Sequence, residues 1–214
     1  MLIKERMSRP VITTHPDTPI MDALNLMQQE QIRRLPVVDK RGRMVGIVAK
    51  EDLLHAAPSD VSSLSVWEMN YMVSKITVDR VMTKDVTTID EDTPLEEAAR
   101  IMADNKVGGL PVMHDDKIVG MITETDLFKV FLEMLGAREH GIRLSVMVPN
   151  AIGELAKLTQ AVFEICGNII SLGTFLGESS DTREIVIKVK DVDEAALKEA
   201  VEPHVERVTD LREI

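Results

Sequence analysis

Aromatic side chains are scarce: Trp67, Tyr71 and four Phe make up 3% of the 214 residues. The interior must therefore be filled by Val, Ile, Leu and the 13 Met, whose flexible thioethers suit irregular gaps. Cysteine is limited to Cys166, which excludes an intramolecular disulfide and a cysteine-rich metal site. A reducing cytoplasm is the expected compartment. No apolar run approaches the roughly 18 residues needed to cross a bilayer, and the first residues lack the apolar core of a signal peptide. Positive charge is in deficit, with 25 Lys+Arg against 36 Asp+Glu and a net charge of −11. That balance argues against a general binder of nucleic acid or anionic membrane, because polyphosphate affinity needs a basic surface. What is present, 44% apolar and 29% charged residues, is the composition of a soluble globular chain. Its length fits one large domain or two to three small ones.

Catalytic patterns are missing as well. His15, His55, His114, His140 and His204 are scattered, with no His-x-x-x-His pairing to hold a metal. No phosphate-cradling Gly-x-x-x-x-Gly-Lys-Ser/Thr loop, Gly-x-Ser-x-Gly elbow or Gly-x-Gly-x-x-Gly turn occurs. Cys166 ends an apolar helical stripe and reads as a small buried residue rather than a nucleophile. Asp115 and Asp116 read as a solvated hairpin tip. The chain is expected to be no enzyme and to need no cofactor or metal.

The sequence repeats itself. At an offset of 75, Met7 falls on Met82, Thr13 on Thr88, Asp17-Thr18-Pro19 on Asp92-Thr93-Pro94, and Leu35-Pro36-Val37 on Leu110-Pro111-Val112. One residue is lost in a turn after Asp39, and at an offset of 74 Gly46 then meets Gly120 and Asp52 meets Asp126. Each copy opens with a β-prone run, Val11 to Thr14 or Val86 to Ile89. Asp-Thr-Pro follows, predicting a helix with Thr as its cap and Pro in its first turn. The buried stripes are Ile20, Ala23, Leu24, Met27 and Ile32 in one copy, and Leu95, Ala98, Ile101 and Met102 in the other. Strands are expected at Leu35 to Val38 and Met44 to Ala49, and at Leu110 to Met113 and Ile118 to Thr123, each pair closed by a second helix. Two such β-α-β-β-α units, residues 1–57 and 76–137, should pack as one pseudo-twofold module. The linker, residues 58–75, offers Ser caps for a short helix carrying Trp67 and Tyr71, either a docking patch or a face packed on the module.

Residues 142–214 read differently: a strand from Arg143 to Val148, a helix from Ile152 to Ile165 with Gly167 as a left-handed cap, a hairpin of Ile169 to Leu176 with Arg183 to Val189, a helix from Asp193 to Glu202, and a last strand from Val205. The order β-α-β-β-α-β is the ferredoxin-like split arrangement. The fold class is therefore α+β throughout.

The strongest chemical signal is Gly120-Met121-Ile122-Thr123-Glu124-Thr125-Asp126, a strand running into a helix. Thr123 at the helix start could present free N–H groups to an anion, and Asp126 could accept from ribose hydroxyls. A capping box, Thr on a later N–H and the acid reaching back, explains the same two residues without a ligand.

Met-x-x-x-Val-x-Thr at each start, Leu-Pro-Val in each second strand and Gly-hydrophobic-hydrophobic-x-x-x-Asp at each third strand, in this order twice, resemble the cystathionine β-synthase (CBS) domain. Its tandem pairs form Bateman modules, and the resemblance covers about residues 1 to 135. It implies an adenosine nucleotide, or S-adenosylmethionine, in a cleft between the repeats, with phosphate on Thr123 and ribose on Asp126. Thr88 and Pro111 fall within the motifs of the second copy, Gly109 stands immediately before Leu110, and all three join that candidate site. The first copy keeps Asp52 but has Ala49 in place of the hydroxyl, which predicts unequal sites. Arg33 and Arg34, where the second copy has Gly108 and Gly109, could meet phosphates, or form a solvated basic edge. Residues 1–75 are nearly neutral, with 10 basic and 9 acidic groups, whereas 76–141 carry 7 and 14, and 142–214 carry 8 and 13. With so few rings, an adenine would be held mainly by backbone and aliphatic side chains.

Residues 142–214, with Asn150-Ala151-Ile152-Gly153-Glu154-Leu155 at the first strand-to-helix turn, resemble the ACT domain. That implies an amino-acid effector near Asn150, Ile152, Gly153 and Leu155, with Asn150 standing where the family has Asp and available to cap the helix, or a domain that only dimerises. The whole order is similar to the acetoin-utilisation AcuB-like group. Two functions follow: a cytoplasmic homodimeric sensor of an adenosine ligand, or a constitutive subunit with vestigial pockets that docks a client enzyme.

Overall fold

A computed structural model of the chain describes residues 1–56 and 75–214, which form two compact units, Met1–Leu127 and Phe128–Ile214. The expected linker helix with Trp67 and Tyr71 lies outside the described residues. Among the described residues no helix is long and apolar enough to cross a membrane.

In the first unit, the first repeat supplies α1 (Ile20–Gln29), β1 (Arg34–Val38), β2 (Met44–Ala49) and α2 (Lys50–Ala56). The second supplies β3 (Ile89–Asp90), α3 (Leu95–Asn105), β4 (Gly109–His114), β5 (Lys117–Thr123) and α4 (Glu124–Met134), whose last turns belong to the second unit. Both hairpins are antiparallel and place the same residues opposite one another: Leu35 on Val48 and Pro36 on Ile47, Leu110 on Ile122 and Pro111 on Met121. β3 adds in parallel to β4, whereas in the first repeat the corresponding run makes only the bridge Thr14 to Val37.

The caps of α1 and α3 differ from the sequence expectation. Pro19 and Pro94 are themselves the N-cap residues, and no side chain caps either helix. A residue preceding proline is held extended, so Thr18 stays outside the helix, and its hydroxyl accepts the His15 N–H at 3.3 Å instead. The stripes behave as their spacing predicts: Ile20, Ala23, Met27, Leu95, Ala98 and Met102 are buried.

The two repeats are interlocked by their leading segments. Ile3, Lys4 and Ser8 donate to the Thr93, Glu91 and Met121 carbonyls of the second repeat. Val78, Asp79 and Thr83 donate to Thr18, Pro16 and Ile47 of the first. Each leader thus completes the other copy, and Val78 is fully buried in the core of the first repeat beside Leu35, Val48 and Leu53. This explains the repeated Met and Gly. A Cβ on Gly46 would lie 2.7 Å from the Met82 sulfur and 2.8 Å from the Thr83 carbonyl oxygen, and one on Gly120 would run into the Met7 side chain. The crossing leader is closest to backbone at Gly46, where the Thr83 carbonyl leaves no room for a side chain, whereas at Gly120 the neighbour is the flexible Met7 side chain.

The second unit contains β6 (Ile142–Pro149), α5 (Glu154–Glu164), β7 (Asn168–Leu176), β8 (Thr182–Lys190), α6 (Glu194–Val201) and β9 (Arg207–Glu213). The sheet order β7-β8-β6-β9, antiparallel throughout, is the split β-α-β-β-α-β arrangement expected from the sequence. Leu144, Val146, Val148, Ile185, Ile187 and Val189 face Leu158, Val162, Leu197 and Val201 of the helices. Lys188 points to the opposite face, where it is buried and donates to the carbonyl oxygens of Gly136, at 3.1 Å, and Glu139. Such pairing is required of an ammonium out of water.

Two details at the end of α5 correct the reading. Cys166, not Gly167, takes the left-handed conformation, with φ 60°, and Cys166 is exposed rather than buried. Gly167 is needed for close approach instead, because a Cβ there would lie 2.8 Å from a Val162 methyl and 2.9 Å from a Val189 methyl.

Candidate functional site

The second repeat gathers its candidate residues at one edge of its sheet. β5 ends at Thr123, opposite Gly109 at the start of β4, and Thr88 immediately precedes β3. Pro111 is buried two residues further along β4. α4 starts directly after Thr123, which brings Asp126 back under the strand end. The Asp126 carboxylate, 8% exposed, accepts the Thr123 backbone N–H at 3.0 Å and the Thr123 hydroxyl at 2.7 Å through the same oxygen.

This is half of the capping box. The acid reaches back as expected, but the hydroxyl donates to the carboxylate. Its lone pairs are thereby oriented by a buried charge.

The first repeat repeats the backbone half alone. Asp52 accepts the Ala49 N–H at 3.2 Å, and no hydroxyl stands there. The two copies therefore differ here in their hydrogen bonding.

Arg34 and Arg33 part company in the structure. Arg34, paired with Ala49 across the first hairpin, extends its side chain over the glycine pair of the second repeat. A Cβ on Gly109 would lie 3.6 Å from Arg34 Cδ and 3.3 Å from the Thr123 methyl, and one on Gly108 would lie 2.5 Å from Arg34 Nη2. Arg34 is therefore a cation supplied by one repeat to the Thr123 edge of the other. The Arg33 side chain is exposed, and its carbonyl accepts the Lys50 N–H at 2.9 Å.

Sequence reasoning missed Glu124. Its carboxylate lies 2.9 Å from the same Gly108 Cβ position, facing Arg34. The signal was available in the self-alignment, where Glu124 falls on Lys50 and the Gly108-Gly109 pair on Arg33-Arg34.

A broad depression of about 670 Å³ lies elsewhere on this unit, lined by Arg9, Val11, Thr13, Val38, Ile118 and Val119. It shares no residue with the Thr123 edge. Among the described residues no group of three or more His, Cys, Asp or Glu side chains is placed to hold a metal.

In the second unit, Asn150 does not cap α5. Its amide donates to the Ser180 carbonyl at 2.9 Å and accepts from Arg183 at 3.2 Å, tying the turn after β6 to the β7–β8 hairpin. The N-cap is Gly153, at φ 94° with open space around its Cβ position. Ile152 and Leu155 beside it are exposed.

Two interlocked β-β-α repeats, with a polar pair at the end of one hairpin and an arginine from the other reaching it, define a tandem-repeat module. The chain belongs to the CBS domain family, whose sequence model matches residues 3–59 and 78–133. It is 31% identical over 131 residues to L-aspartate semialdehyde sulfurtransferase of Methanocaldococcus jannaschii, a match covering 61% of this chain but 23% of that enzyme. Among solved structures it is similar to the CBS domain pair of protein MJ0100 in complex with 5′-methylthioadenosine and S-adenosyl-L-methionine, with 31% identity over 65% of this chain and 98% of that one, and a TM-score of 0.52. It is likewise similar to CBSX2 in complex with AMP, at 28% identity over 61% and 96% of the two chains and a TM-score of 0.50. A third neighbour is a Vibrio cholerae protein described as an acetoin utilization protein (AcuB), at 30% identity over 64% and 95% of the chains and a TM-score of 0.53.

Proposed function

We propose that this chain is a regulatory sensor that takes an adenosine ligand at the Thr123 edge of its CBS pair. The observation that carries the reading is the convergence there of Thr123, the buried Asp126, the bare glycines 108 and 109, and Arg34 from the other repeat. The neighbours captured with 5′-methylthioadenosine, S-adenosylmethionine and AMP support it. In this reading Asp126 holds the ribose, the Thr123 hydroxyl and Arg34 meet the 5′ substituent, and Thr88 and Pro111 border the adenosine. Asp52 and Arg33 belong to a weaker site in the first repeat.

The matched stretch is under a quarter of the sulfurtransferase, so that enzyme's activity is not carried over. The proposed role is regulation rather than catalysis. Residues 142–214 are proposed to be an ACT domain that pairs two copies, with the turn of Asn150, Ile152, Gly153 and Leu155 as the place for an amino acid. The open backbone at Gly153 supports that assignment.

The test is thermal unfolding of the chain with AMP, ADP, ATP, S-adenosylmethionine and a panel of amino acids. A ligand at 100 times its dissociation constant adds about 2.7 kcal/mol. If none moves the transition, sensing is refuted and a constitutive interaction subunit for a client enzyme is the better reading. Light scattering tests the pairing: a monomer at micromolar concentration refutes it.

A further inference from the structure

The 5′ end of the proposed site carries two charges of opposite sign. Arg34 Nη2 and Glu124 Oε2 converge on Gly108, at 2.5 Å and 2.9 Å from where its Cβ would stand, so the missing side chain leaves room for both groups in this arrangement. Glu124 is fixed by the start of α4, its N–H donating to the Gly108 carbonyl at 3.3 Å, and it is one residue from the Thr123 hydroxyl. The corresponding place in the first repeat holds Arg33 and Lys50, both cationic, so the mixed pair is not a general property of the repeat.

A phosphate chain laid toward Arg34 would come against the Glu124 carboxylate. Like charges at short range weaken binding, and the loss grows with each added phosphate. A group bearing both charges meets no such penalty: a carboxylate can take the guanidinium in a bidentate pair while an ammonium or sulfonium faces Glu124. We infer that the Thr123 site selects an adenosine whose 5′ side carries an α-amino-acid zwitterion, of which S-adenosylmethionine is the chemical type, over adenosine polyphosphates. Glu124 and Arg34 are the specificity-determining residues. This inference rests on the adenosine reading above.

The test is calorimetric titration of the full chain with S-adenosylmethionine, 5′-methylthioadenosine, AMP and ATP. S-adenosylmethionine is expected to bind at least about 10-fold more tightly than 5′-methylthioadenosine, a neutral thioether that lacks the aminocarboxypropyl chain, and than ATP. Glu124→Gln should weaken S-adenosylmethionine by about 10-fold, leave the neutral 5′-methylthioadenosine within about 2-fold, and strengthen ATP. Retained 5′-methylthioadenosine binding shows that the variant is folded. Tighter binding of AMP or ATP than of S-adenosylmethionine overturns the zwitterion inference and leaves the adenosine reading standing. Equal weakening of both sulfur ligands by Glu124→Gln overturns it as well, because Glu124 would then be only a clamp between the repeats. If none of the four binds, the adenosine reading falls and this inference with it.

Discussion

The two CBS repeats share a backbone and differ in what they place at its corners. Both return an aspartate carboxylate to the N–H at the end of their second hairpin strand, at 3.2 Å for Asp52 and 3.0 Å for Asp126. Only the second adds a hydroxyl to that carboxylate. The rim of the first is cationic, through Arg33, Arg34 and Lys50. The rim of the second is bare glycine with Glu124, and it borrows Arg34.

Their joints differ too. Lys4 pairs with Asp92 at 2.6 Å and Glu91 accepts from Arg9 at 2.7 Å, both holding the first leader against the second repeat, within which Glu91 also lies 2.7 Å from His114 Nδ1. In the first repeat the acid of the β1–β2 turn is satisfied locally, Asp39 accepting the Arg41 and Arg43 N–H groups at 2.8 and 2.9 Å. The lesson is that the backbone hydrogen bonds maintain the repeat, while side chains at its corners are free to diverge, into a hydroxyl–carboxylate pair with bare glycine in one copy and a cationic rim in the other.

Several substitutions would break or sharpen that contrast. Leu35→Ala and Leu110→Ala, equivalent and both fully buried, should each cost about 2–5 kcal/mol in chemical denaturation. A large difference between them would show that the two cores are not equivalent. Thr123→Val should remove the ligand-dependent stabilisation of about 2.7 kcal/mol expected at 100 times the dissociation constant, whereas Asp52→Asn should leave most of it. Equal loss in both would mean that the copies bind alike.

Gly46→Ala should cost about 1–3 kcal/mol, because its Cβ meets the Thr83 backbone as well as the Met82 sulfur. Gly120→Ala should cost less, since its neighbour is the Met7 side chain, which can shift. The reverse order, measured by denaturant midpoints, would contradict the crossing of the leaders described above. Ala49→Thr should stabilise by about 0.5–1 kcal/mol through a new hydroxyl bond to Asp52, a gain absent in Ala49→Val.

The smallest effect is in acid. Asp39 is held below the ordinary carboxylate range by the Arg43 backbone N–H and side chain, and Asp92 by its bond to Lys4. A depressed carboxyl contributes stability that is full above its unfolded value and is lost as pH falls through the folded one. Asp39→Asn and Asp92→Asn should therefore both flatten the acid limb of the stability curve below about pH 4. Added salt should shrink the difference for Asp92, an exposed ion pair, more than for Asp39, whose first partner is a backbone dipole.

Much of this was legible in the chain. Alternation and helical spacing set the strands and stripes of both repeats, and the ββα core of each copy lies within a residue or two of its expected bounds, because a buried face fixes register. Ala49 against Thr123 is a difference between the two copies that the sequence alone displays. Caps were less legible. Thr18, Asn150 and Gly167 each carry the residue type of a cap, and each is used otherwise, since a nearby backbone group or a neighbouring methyl competes for the same few ångströms.

By itself the sequence determined that the chain is a doubled α+β unit followed by a β-α-β-β-α-β unit, because periodicity and repetition are local properties of the chain. It did not determine that each leader belongs to the other copy, that Gly46 and Gly120 exist to let Met82 and Met7 pass, or that Arg34 and Glu124 meet over Gly108. Apart from Glu124 on Gly108, those are contacts between residues 36 to 113 positions apart, and no local preference encodes them. Only the interlocking of the repeats brings the charges of one within reach of the bare backbone of the other.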